Sequence, residues 1–123
     1  MKRSLIALGV SLLALADARA LDCANAVTTP DMNECAAREQ KVVEANLNRT
    51  YQQLLKDLND PDSAATKKKL VVAQRAWVKF READCAAVYE HYAGGTIRNL
   101  MHSGCMRGRA EQRIKELGAF NTP

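Results

Sequence analysis

The stretch AQRAWVKFREADC, residues 73–85, decides the fold and poses the first problem. Wound as an α-helix, it places Gln74, Trp77, Arg81 and Cys85 along one line, at spacings of three and four residues. Extended to Leu70 and Val88, that line is the inward stripe of an amphipathic helix, so an amide and a permanent cation share the buried face with the chain's single tryptophan. An unpartnered buried polar group costs about 1–3 kcal/mol, and a charged one more. Both groups therefore need partners on a neighbouring helix.

Upstream, TTPDMNECAAREQ (28–40) carries a helix start, in which Thr28 can accept from the backbone N–H of Asp31 and Pro30 fits a first turn. Ala36, Val43, Leu47, Tyr51, Leu54 and Leu58 then recur on one stripe. LNDPDS (58–63) stops this helix at Asp60-Pro61 and offers Asp62 or Ser63 as the cap of the next. The connection is short, so the two long helices are predicted to pack antiparallel. Gly94-Gly95 breaks the second helix, and a shorter third is predicted around Cys105 to Leu117, with Met106, Ile114 and Leu117 facing in. Alternating β-branched runs are absent, which leaves strands without support. The predicted fold is all-α: a small antiparallel bundle of two long helices and a shorter third, stapled by two disulfides.

The first helix supplies partners for the polar line in Glu44, Asn48 and Tyr51. A Glu44–Arg81 pair, with an amide or phenol for Gln74, makes a structural network of Glu44, Asn48, Tyr51, Gln74, Trp77 and Arg81 that fixes helix register. The competing reading makes Arg81 the lining of a pocket for an acidic ligand.

The chain opens with Lys2 and Arg3, an apolar run from Leu5 to Ala16, and Ala18-Arg19-Ala20, which is the layout of a secretory signal peptide over residues 1–20. That run is too short for a membrane span, and Asp22 ahead of Cys23 does not suit a lipid-anchored cysteine. The expected mature chain, 21–123, is one small domain. Without the leader the formal charge falls from +4 to +2, too slight for nucleic-acid binding. Cys23, Cys35, Cys85 and Cys105 all lie in the mature part, and an even count in a small exported chain reads as two disulfides. Of three possible connectivities, proximity along the chain favours Cys23 with Cys35 and Cys85 with Cys105.

YEHYAGGTIRNLMHSG (89–104) combines Tyr89, His91, Tyr92, Ile97, Arg98 and Leu100, residue types that anchor interfaces, with a glycine pair. These six are the candidate partner-binding residues; the alternative is that they pack down over the end of the bundle. His91 and His102 have no second metal ligand at helical spacing, and disulfides remove the thiols, so no catalytic, metal or cofactor site is expected. Gly94-Gly95 lacks the Lys-Ser/Thr of a phosphate loop. Lys67, Lys68 and Lys69 read as a solvated helix face.

LNRTYQQL (47–54), AQRAWVKFREADC (73–85), Cys105 and RIKEL (113–117) together resemble the lysozyme-inhibitor LprI-like domain of bacterial secreted proteins, over Cys23 to Leu117. The resemblance implies a small helical fold in the cell envelope and a protein partner, namely lysozyme. Two positions depart from the pattern: the lipid-anchoring motif is missing, and Ala110 stands where a small hydroxyl residue is expected before Arg113. The leading expectation is a periplasmic or secreted, non-enzymatic binding protein that occludes a muramidase. The runner-up is a structural or stress-related envelope protein with another periplasmic partner. Sequence leaves the oligomeric state open.

Overall fold

Thr28 opens the first helix, its hydroxyl accepting from the Asp31 N–H at 3.2 Å. In the computed structural model, which describes residues 20–121, this helix, α1, runs Thr29–Asp57. A short 3-10 turn at Cys23–Asn25 precedes it, tied to α1 by the Cys23–Cys35 disulfide. All but Ala20 of the expected signal peptide lies outside the described residues.

The turn after α1 carries a cap of its own. Asp60 caps a 3-10 turn at Pro61–Ser63, its carboxylate accepting from the Ser63 N–H at 2.9 Å, and Ser63 takes the expected N-cap position of α2. Pro61 has its φ preset for that turn, and Ser63 makes no side-chain cap bond. Helix α2 follows over Ala64–His91.

The third helix, α3, spans Arg98–Gly118 and so begins seven residues before the expected start at Cys105. Only Tyr92–Ile97 connects it to α2. Gly94 sits at φ 80° in that turn, where an L side chain is disfavoured. Gly104, just ahead of the expected start, is carried inside α3 with open space around it. A helix tolerates such a glycine at a cost of about 1 kcal/mol.

The described residues form three helices and no strands, with disulfides Cys23–Cys35 and Cys85–Cys105. The chain runs up, down and up. Helix α3 lies closest to α1 and parallel to it: Arg107 pairs with Glu39 near their N-terminal halves, and Leu117 shares a core with Leu54 near their C-terminal ends. Helix α2 packs antiparallel against α3, whereas the backbones of α1 and α2 approach each other far less. Long side chains explain the difference, since Tyr51, Trp77 and Arg81 stand between α1 and α2 while α3 turns the fully buried methyl of Ala110 inward.

The apolar core is Leu47, Leu54, Leu70, Ala110 and Leu117, with Val43, Tyr51, Leu55, Leu58, Trp77 and Ile114 packed around it. It fills the half of the bundle far from the α2–α3 turn. Disulfides and ion pairs hold the other half.

Candidate functional site

Two groups of side chains lie outside the apolar core, a polar seam along α2 and a cluster at the α2–α3 turn. The seam begins with Arg81, which is buried and donates through Nη1 to the Glu44 carboxylate at 2.6 Å. The guanidinium carbon lies 4.8 Å from the Trp77 ring centroid, so the cation is held by a carboxylate and an aromatic face together. Its Nε has no hydrogen-bond partner among the described residues.

Gln74 differs from expectation. Its amide oxygen accepts from Arg113 Nε on α3 at 2.9 Å, not from an amide or phenol of α1. Arg113 also donates to Glu116 at 2.9 Å and lies 5.8 Å from the Trp77 centroid. Trp77 is therefore flanked by two guanidiniums, one from its own helix and one from α3. Asn48 is exposed at the rim of an α1–α2 groove of about 260 Å³, and Tyr51 packs on the apolar core; neither hydrogen-bonds Gln74. The reason is the arrangement of the helices, which places α3 rather than α1 against this part of α2.

Sequence reasoning left Arg113 without a role in the network. The signal was present: Arg113 falls between Ala110 and Leu117 on the inward stripe of α3, just as Arg81 falls between Trp77 and Cys85. Two further links escaped notice. Asp84 accepts from Arg109 at 2.7–2.8 Å, and Arg107 pairs with Glu39. Asp84 also lies beside Cys85 and Cys105, but both sulfurs are spent in the disulfide and cannot serve as thiolate ligands.

At the turn, the six candidate contact residues do not form one long loop. Tyr89 and His91 end α2, Arg98 and Leu100 begin α3, and only Tyr92 and Ile97 belong to the connection. Arg98 is stacked over Tyr89 at 3.7 Å from the ring centroid and lies 3.5 Å from Glu90. His102 meets the edge of Tyr89 at 5.6 Å, and His91 meets Tyr92 at 5.1 Å. Leu100 faces the Cys23–Cys35 disulfide across a second groove. Ile97, 39% exposed, is the apolar side chain most open to solvent in the cluster. The result is a blunt, disulfide-braced tip with aromatic and imidazole edges around an isoleucine.

The arrangement of cysteines, seam and tip agrees with a match of the family model for lysozyme inhibitor LprI to residues 22–117. The chain belongs to the LprI family. The chain is also similar to an uncharacterized protein of Rhizobium meliloti (strain 1021), 32% identical over 105 residues that cover 78% of this chain and 76% of that protein. No solved structure matches. Membership in the LprI family carries the implication of a protein partner. No described helix is long and apolar enough to cross a membrane.

Proposed function

We propose that this chain is an exported, non-catalytic binding protein of the lysozyme-inhibitor type, which occludes a muramidase through the α2–α3 tip in the periplasm or outside the cell. The observation that carries the reading is the family match over residues 22–117. The tip supports it, because muramidases work with two carboxyl groups in a cleft, and Tyr92, Ile97 and the imidazole of His91 offer apolar surface and hydrogen-bonding groups to such a cleft. Export is supported by the basic-then-apolar start of the chain and by two disulfides, which persist in oxidising compartments.

One observation favours a second reading. Arg98, the cation that would answer cleft carboxylates, is engaged by Tyr89 and Glu90 within the tip. A slightly basic chain also gains no long-range attraction toward a basic lysozyme. Both facts suit a structural or stress-related envelope protein that binds a different periplasmic partner with the same surface.

The deciding experiment is turbidity clearing of bacterial cell walls by several lysozyme types, with the purified oxidised chain added. Dose-dependent protection that is lost in Ile97→Asp supports the muramidase reading. No protection at micromolar excess sinks it and leaves the second.

A further inference from the structure

Helices joined by a short turn normally close on each other, but the backbones of α1 and α2 stay apart and leave the groove of about 260 Å³ between them. Asn48, Tyr51 and Gln52, within one turn of helix, line its α1 wall, and Gln74, Trp77 and Arg81 line its α2 wall. The α1 groups are unspent: the amides of Asn48 and Gln52 and the hydroxyl of Tyr51 make no hydrogen bond among the described residues. On the α2 wall, Gln74 gives its oxygen to Arg113 and keeps its amide nitrogen. The Arg81 side chain is 9% exposed, and its Nε is buried without an acceptor. A buried donor left unmet is costly, and an oxygen brought by a ligand meets that need.

The lining decides the class of ligand. Glu44 and Arg81 are its only charged residues, and they neutralise each other at 2.6 Å. An anion would meet the Glu44 carboxylate and a cation the Arg81 guanidinium, so the groove selects an uncharged ligand. Asn48 and Gln52 each carry donors and an acceptor, and ring hydroxyls, which also donate and accept, answer such groups. Leu47, Trp77 and Val78 add apolar surface for the C–H face of a sugar ring. The volume falls just below the roughly 300–1,000 Å³ of sites for drug-sized ligands, which suits one or two rings and is too short for an extended peptide.

We propose that the α1–α2 groove binds a neutral saccharide of one or two rings. Asn48 and Gln52 hold hydroxyls from the α1 wall, while Arg81 Nε and the Gln74 amide nitrogen donate to sugar oxygens from the α2 wall. The groove is separate from the tip, since Arg81 precedes Tyr89 by about two turns of α2, so the inference does not rest on the muramidase reading. Trp77, the single tryptophan of the chain, stands in the wall and reports on the groove by its own fluorescence.

The test titrates maltose, cellobiose and N,N′-diacetylchitobiose into the oxidised chain and follows Trp77 emission, with saturation-transfer NMR reading the same samples from the sugar side. The expected result is saturable binding of at least one of the three, with a dissociation constant on the order of 1 mM for so small and open a site. Asn48→Ala with Gln52→Ala, two exposed changes to a better helix former, weakens it at least about fivefold while far-UV circular dichroism stays that of the wild type. No saturable signal by either method up to about 50 mM overturns the proposal. So does binding that the double variant leaves unchanged. Glucuronate binding as tightly as the neutral sugars overturns it by assigning the groove to an acidic ligand. Saturable binding of the blocked, uncharged dipeptide N-acetyl-alanyl-alanine amide, with none of the three sugars, overturns it in favour of a peptide.

Discussion

Arg81 on α2 and Glu44 on α1 are joined at 2.6 Å, a side-chain link between two helices that follow each other in sequence but whose backbones stay apart. The arginine side chain is 9% exposed and the glutamate 32%, so the cation is sealed in while its counterion is reached by water. Glu44→Ala should therefore cost about 2 kcal/mol, below the 3–5 kcal/mol of a fully buried pair broken on one side. Replacing both partners, as Glu44→Leu with Arg81→Met, should cost less than Glu44→Ala alone, because no lone charge remains buried. Urea denaturation of the wild type, Glu44→Leu, Arg81→Met and the double variant measures the coupling. Additive losses would show that the pair is not one unit.

Leu117 is completely buried in a small core, together with Leu47, Leu54 and Leu70. Leu117→Ala should destabilise by about 3 kcal/mol, from lost transfer energy and the cavity left behind. Val42→Ala, at a site 69% exposed on α1, should change stability by less than about 0.5 kcal/mol. Urea midpoints report both.

The two disulfides close loops of similar size, with separations of 12 and 20 residues, so loop entropy alone assigns each about 3 kcal/mol. Burial separates them. Each bridge has one buried end, Cys35 and Cys85, but the other end is half-buried at Cys105 and exposed at Cys23. Alanine at Cys85 and Cys105 should lower the melting temperature more than alanine at Cys23 and Cys35, because it also opens a void at the α2–α3 contact. Equal losses would contradict this account.

Asp60 gives the turn between α1 and α2 its acid sensitivity. Its carboxyl is held below the ordinary 3.8 by the Ser63 side chain and then by the Ser63 N–H. The folded value is the lower one, so this contribution to stability is complete above the unfolded value and fades as pH falls through the folded one. Asp60→Ala should be less stable than the wild type at neutral pH, and the gap should close as pH is taken well below 3.8. Thermal melts across an acid series give the comparison.

Much of the fold was legible in residues 73–85 and their counterparts. The three- and four-residue spacing of Leu70, Gln74, Trp77, Arg81 and Cys85 is a strong periodic signal, and Thr28, Asp60 and Pro61 mark helix ends by local chemistry. The start of α3 was not legible, because Gly94-Gly95 marks where α2 ends but not how soon the next helix begins, and Gly104 inside α3 is tolerated through packing that sequence does not display. The partner of Gln74 was hidden for a related reason. A short α1–α2 connection implies that those helices are neighbours, but bulky Tyr51 and Trp77 wedge them apart, and Arg113 of α3 takes the place that Asn48 or Tyr51 was expected to fill. At the tip, residue types were readable while their arrangement was not, since the stacking of Arg98 on Tyr89 depends on where α3 begins.

Cys85 and Cys105 sit on opposite sides of the α2–α3 turn, and their bridge makes the intervening chain a covalent ring. A protease that cuts once inside that ring, for example in the exposed turn around Gly94 and Gly95, severs the polypeptide without releasing a fragment. The nicked molecule keeps both halves tethered and parts into two bands only after reduction. A surface presented on such a ring can be clipped by a protease and still remain attached to its scaffold.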